Sequence, residues 1–169
     1  VVGMNLCPFA AKPIAQKRVR VAVSDARDEH NLLTTLQDEI LTLAQDPDIE
    51  TTLLVHPLVL QDFLDYNAFL STCDALIADM NAEGVFQIAS FHPQYQFADT
   101  GLEDAENYTN RSPYPLLHIL RESSLSQAID THPDIDDVPV RNIARLNSQG
   151  ATSLHTTWLA LSADQPSDQ

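Results

Sequence analysis

Residues 90–122 read SFHPQYQFADTGLEDAENYTNRSPYPLLHILRE, and the fold turns on how this stretch divides. Most of it has no hydrophobic period, yet it is dense in polar and ionisable groups. A stretch this long and polar inside a domain is functional or disordered. Phe91, Tyr95, Phe97, Tyr108 and Tyr114 give it something to pack with, so it reads as an ordered functional loop. Ser112 or Pro113 then opens a predicted helix through about Arg121, since prolines are tolerated in a first helical turn.

Upstream, three strands alternate with two helices. In KRVRVAVS, residues 17–24, Val19, Val21 and Val23 share one face, a period-2 strand. Asp28 caps a helix to Gln45 with a Leu33, Leu36, Ile40 and Leu43 stripe. ETTLLVH, residues 50–56, is a second strand stopped by Pro57. A second helix spans Leu58 to Asn81, with Cys73 on its apolar stripe and Gly84 just past its end. VFQIASF, residues 85–91, is the third strand. Downstream of the quoted stretch lie a short helical piece at Leu125–Ile129, a loop at 131–137, helices at Val138–Ser148 and Thr152–Ser162, and a tail at 164–169 expected to fray.

The fold class predicted is α/β: a small three-stranded, mainly parallel sheet in β-α-β-α-β order, followed by C-terminal helices. The alternative is an added antiparallel edge strand within residues 131–150. The 169 residues suit one domain, 1–163. The apolar opening VVGMNL implies that residues precede Val1.

The net charge of −15 is uneven: +4 over residues 1–27, −16 over 28–110, which hold no Lys or Arg, and −3 over 111–169. Such acidity argues against nucleic acid as a partner. Lys17, Arg18, Arg20, Arg27 and Arg111 then stand out as cations held where a small anion should sit. Two cysteines, Cys7 and Cys73, make no disulfide framework, and no apolar run suits a membrane span or signal, so a cytoplasmic protein is expected.

If the three strands are parallel, the groups that follow them share the carboxyl edge, where open α/β sheets bind ligands. These groups are Ser24, Asp25, Ala26 and Arg27, then His56-Pro57, then His92-Pro93. His92 and His56 are the catalytic candidates, His92 as general base. With a carboxylate such as Asp104 they are also conceivable metal ligands, although the spacing matches no metal motif and no metal is assigned. Asp25 and Arg27 join them as ligand-binding candidates.

The second constellation is Asn107, Tyr108, Asn110, Arg111 and Ser112, beside the predicted helix start, where backbone N–H groups and an arginine fork suit an anion. The competing reading is a helix capped by Ser112, with Arg111 in an internal salt bridge and His118 and Arg121 packed on the helix. Cys7, framed by Leu6 and Pro8, is expected to be a buried, inert thiol; the competing role is a nucleophile partnered by His92.

Three segments resemble a bacterial and plastid family known only as a domain of unknown function. They are GMNLCPFA at 3–10, ASFHPQYQF at 89–97, and NYTNRSPYP at 107–115 followed by LHILRE at 117–122. The family forms are GLNLCPFA, ASFHPxYQF and NYTNRSPYPxLHLLRE. The resemblance spans nearly the whole chain and implies a helical segment before the first motif. It implies no reaction, cofactor or substrate.

The expected function is therefore an enzyme or a binder of a small anionic ligand at the carboxyl edge. The alternative is a non-catalytic protein-interaction module that uses the 90–112 loop.

Overall fold

A computed structural model describes residues 3–131 and 134–163. The described residues form α1 (Ala11–Ala15), β1 (Val19–Val23), α2 (Glu29–Gln45), β2 (Thr51–Val55), α3 (Phe63–Asp79), β3 (Phe86–Phe91), β4 (Leu116–Arg121), α4 (Glu122–Thr131), α5 (Val138–Gln149) and α6 (Ala151–Ala163). Short 3-10 turns at Ala105–Thr109 and Ile135–Asp137 complete them. The tail expected to fray lies outside the described residues.

The α/β class and the three upstream strands stand, but the sheet is four-stranded and mixed, in the order β1-β2-β4-β3. β1 pairs parallel with β2, and β4 runs antiparallel between β2 and β3. The extra strand, β4, is the C-terminal part of the segment expected to be a helix, Ser112–Arg121. It is interior, and it does not lie within residues 131–150. The physical reason is the pair of prolines. Pro113 and Pro115 push Ser112 and Tyr114 away from the helical region, so the chain enters 116 extended. Leu117 and Ile119 then alternate into the core, each 0% exposed.

Since β4 is antiparallel to both neighbours, β1, β2 and β3 still point the same way, and their carboxyl ends share one edge.

The main core lies between one sheet face and the two long helices. Leu32, Leu36, Ile40 and Leu43 of α2, and Tyr66, Phe69, Cys73 and Ile77 of α3, meet Leu54, Phe86, Leu117 and Ile119. Asp28 and Asp62 cap these helices. Asp28 Oδ1 accepts from Asn31 N at 2.8 Å, and Asp62 Oδ1 accepts from Leu64 N at 2.8 Å and Asp65 N at 3.2 Å. Arg121 closes the other end of α2 by donating to the carbonyls of Leu43, Ile49 and Asp46. A second, smaller core gathers Leu6, Ala105, Leu146 and Leu154. It joins the N-terminal segment and the 3-10 turn at Ala105 to α5 and α6. Asn142 Nδ2 donates to Leu6 O at 2.7 Å, and Arg145 donates to Met4 O.

Candidate functional site

The carboxyl edge brings Ser24, His56 and His92 into one row. Ser24 N extends the β1–β2 ladder by donating to Val55 O at 2.8 Å, and His56 N donates to Pro115 O at 3.1 Å. By strand parity all three side chains lie on the helix-covered face, with Ala22, Leu54 and Ile88.

Both histidines are 0% exposed and brace the loop between β2 and α3. His56 Nδ1 donates to Val59 O at 3.1 Å. His92 Nδ1 accepts from Gln94 N at 3.0 Å, so its proton lies on Nε2, which donates to Leu60 O at 3.2 Å. Two successive carbonyls of one loop are thus held by two rings from two strands. His56 Nε2 is buried and has no hydrogen-bond partner among the described residues. Burial pushes the His56 pKa down to about 4, with the charge of neighbouring His92 adding to the effect. Burial also lowers that of His92, while the carbonyl of Leu60 and the charge of Asp62 oppose it. Both rings are neutral in the fold, and both nitrogens of His92 are engaged.

Tyr66, from α3, sits between them. Its ring stacks on His56 at 5.8 Å and tilts against His92 at 5.1 Å. Its hydroxyl donates to Leu116 O at 2.8 Å and accepts from Phe91 N at 3.0 Å, tying the last rung of β3 and β4 to α3. Desolvation raises its pKa well above the ordinary phenol range. Sequence reasoning passed over Tyr66, although its spacing to Phe69 and Cys73 puts it on the buried stripe.

The braced loop is one wall of an open groove of about 760 Å³. Arg27, Asp28, Glu29 and His30 line one side, and Val59, Leu60, Gln61, Asp62 and Asp65 the other. It lies between the N-termini of α2 and α3, each 17 residues long. Of the residues expected to form a site, only Arg27 lines it. Asp25 is exposed next to it in the chain, and His56 and His92 lie behind the wall.

The arginines sort by what they touch. Of the five between residues 18 and 121, four are engaged internally. Arg18 pairs with Glu50 at 2.8 Å, Arg20 forks onto Glu39 at 2.7 and 3.0 Å, and Arg121 holds the end of α2. Arg111 donates to Tyr95 O at 3.2 Å and Leu102 O at 2.6 Å, and its guanidinium lies 4.6 Å from the Tyr108 ring centre. Arg27 makes no hydrogen bond or ion pair with any described residue and is exposed.

The second constellation is brought together, but around the loop itself. The expected helix N-terminus at Ser112 is absent, because that segment enters a strand. Asn107, 0% exposed, is the hub. Its Oδ1 accepts from Phe97 N at 3.0 Å and Thr100 Oγ1 at 2.9 Å, and its Nδ2 donates to Gly101 O at 2.8 Å. Asn110 Nδ2 donates to Ser90 O at 3.0 Å, Ser112 Oγ to Tyr114 O at 2.5 Å, and Tyr108 Oη shares a 3.1 Å bond with His155 Nδ1. Arg111 meets carbonyls, neither a carboxylate nor the groove. His118 lies on β4, with Nε2 2.7 Å from Thr51 Oγ1. Thr51 donates onward to Ile119 O, so the ring is the donor, and burial lowers the His118 pKa to about 4. Cys73 is buried, which pushes its pKa up to about 12, whereas Cys7 is half-buried and not fully enclosed as expected.

Among the described residues no group of three or more His, Cys, Asp or Glu is placed to hold a metal ion, and no helix is long and apolar enough to cross a membrane. The family model described as protein of unknown function (DUF1415) matches residues 1–156, and the chain belongs to that family. Comparison with curated proteins and with solved structures yields no match to either.

Proposed function

We propose that this member of the DUF1415 family binds a small molecule carrying an anionic group, in the groove between the N-termini of α2 and α3. The observation that carries this reading is Arg27. It is the one arginine between residues 18 and 121 without a hydrogen-bond or ion-pair partner among the described residues, and it stands on the groove wall. A guanidinium there offers a planar fork to a carboxylate or phosphate. The groove also carries Glu29 and Asp65, which an anion alone would meet unfavourably. The ligand therefore has a second part, cationic or hydroxyl-bearing, that faces them. Asp28 and Asp62 are spoken for as helix caps.

His56 and His92 serve the site by positioning: they fix the carbonyls of Val59 and Leu60 and so the wall that Gln61 and Asp62 extend. The 90–112 loop has less support as an interaction surface, because its polar groups are spent on its own backbone.

A thermal-shift panel of amino acids, hydroxy acids and phosphorylated small molecules tests this. A stabilising compound should lose binding by roughly 10- to 100-fold in Arg27→Ala, as expected for one charge-assisted contact. Hits that bind Arg27→Ala as well as the parent chain would refute the site.

A further inference from the structure

Tyr108 and His155 form a pair that the groove does not use. Tyr108 belongs to the 3-10 turn Ala105–Thr109, His155 to α6, and Tyr108 Oη is 3.1 Å from His155 Nδ1. Both partners are anchored by their neighbours. Asn107, just before Tyr108, is the fully buried hub of the loop, and Leu154, just before His155, is buried in the small core. The Tyr108 side chain packs against that core as well. The pair nevertheless lies at the surface, with His155 exposed and Tyr108 half-buried.

Two further groups complete the arrangement. The Trp158 ring, on the next turn of α6, stacks on His155 at 6.0 Å and 14°, which orients the imidazole. The Arg111 guanidinium lies 4.6 Å from the Tyr108 ring centre, fixed by the carbonyls of Tyr95 and Leu102. Among the four tyrosines this setting is particular to Tyr108. Tyr66 is buried, with its hydroxyl bound to two backbone groups. Tyr95 and Tyr114 are half-buried, and neither hydroxyl meets a histidine among the described residues.

We propose that Tyr108 is a nucleophile with His155 as its general base, and that the site accepts acyl groups from neutral, activated esters. With the imidazole proton on Nε2, the phenol donates to Nδ1, the geometry in which a base can take its proton. Tyr108 Oη attacks the ester carbonyl carbon as that proton passes to Nδ1. The negative charge that develops on the phenol is met by the fixed Arg111 cation. The tetrahedral intermediate collapses by breaking the bond to the leaving alkoxide or thiolate, which takes the proton from the imidazolium. Tyr108 is left as an acyl ester and His155 is restored. A neutral donor is the class that fits, because Glu103, Asp104 and Glu106 lie just before Tyr108 in a chain of net charge −15, which repels a phosphoryl donor.

The probe is p-nitrophenyl acetate, with the acetyl group located by mass spectrometry of proteolytic peptides. Tyr108 should be acetylated at least about tenfold faster than Tyr95 or Tyr114 of the same chain, as a positioned base requires. That comparison needs no variant. His155→Asn keeps an acceptor near the position of Nδ1 but no base, and should slow acetylation of Tyr108 by at least about tenfold. Tyr108→Phe should abolish the fast release of p-nitrophenol. Circular dichroism should show both variants folded, since His155 is exposed and a phenyl ring keeps the packing of Tyr108. Equal acetylation of Tyr95, Tyr108 and Tyr114, acetyl groups on Cys7, Lys12 or Lys17 with Tyr108 unmodified, or an undiminished rate in His155→Asn would overturn the proposal.

Discussion

Acid should unfold this protein partly through His56, and the effect can be isolated. The perturbation is His56→Phe. A phenyl ring keeps the stack on Tyr66 but cannot titrate. The lost Nδ1–H bond does not orphan Val59 O, because Gln61 Nε2 also donates to it at 3.3 Å. Near pH 7 the variant should therefore lose only about 1 kcal/mol, the worth of one ordinary hydrogen bond. The pH dependence follows from burial, which lowers the His56 pKa from 6.5 to about 4. Between those values the unfolded chain binds a proton that the native ring refuses. Stability is thus full above pH 6.5, falls as pH drops toward about 4, and levels off below. At about 1.4 kcal/mol per pKa unit, His56 accounts for roughly 3 kcal/mol of that loss. Urea unfolding followed by circular dichroism, in steps between about pH 7 and pH 4, measures it. Carboxylates and His118 titrate in both proteins and cancel in the comparison, so the difference reports His56 together with its coupling to His92. The variant should lose about 3 kcal/mol less than the parent across the window. Parallel curves for the two proteins would refute the assignment of a neutral, buried ring at His56.

Three further outcomes follow from buried contacts. Tyr66→Phe removes the hydroxyl that joins Leu116 O and Phe91 N, and should cost about 2–3 kcal/mol in urea unfolding; a cost under about 0.5 kcal/mol would contradict that tether. Asn107→Ala strips three hydrogen bonds from a fully buried hub, and should speed amide exchange across residues 97–104 while leaving α2 and α3 protected. Uniform protection would show that the loop does not depend on Asn107. Arg111→Ala should lower stability by roughly 1–3 kcal/mol and leave ligand affinity in the groove unchanged, the reverse of what a ligand-contacting arginine would do.

Legibility of the fold followed the range of the interactions that make it. The period-2 valines of β1, the Asp28 cap and the α2 stripe are local patterns, and they lie where the sequence places them except that Leu32, one residue before the expected Leu33, is the fully buried first member of the stripe. The segment 116–121 is ambiguous by pattern alone, since Leu116, Leu117, Ile119 and Leu120 satisfy both a helical and an alternating arrangement. Two prolines separated by one residue were the deciding signal, and they favour the extended chain. The shared carboxyl edge survived that misreading, because an antiparallel strand inserted between β2 and β3 leaves their directions alike. The sites were harder to read. Arg111 sits in a sequence that suits an anion, but its acceptors are carbonyls of Tyr95 and Leu102, set by the path of the loop. Arg27 looked no different from its basic neighbours until their partners were known. Tyr66 was legible by spacing, but not its contacts with strands fifty residues and twenty-five residues away.

The groove is tested most directly by a ¹⁵N–¹H NMR titration with a compound that stabilises the protein. The account predicts that amide shifts concentrate in Arg27–His30 and in the loop from Val59 to Asp65, and that they vanish in Arg27→Ala. Shifts centred on residues 92–112, with the groove amides unmoved, would contradict it.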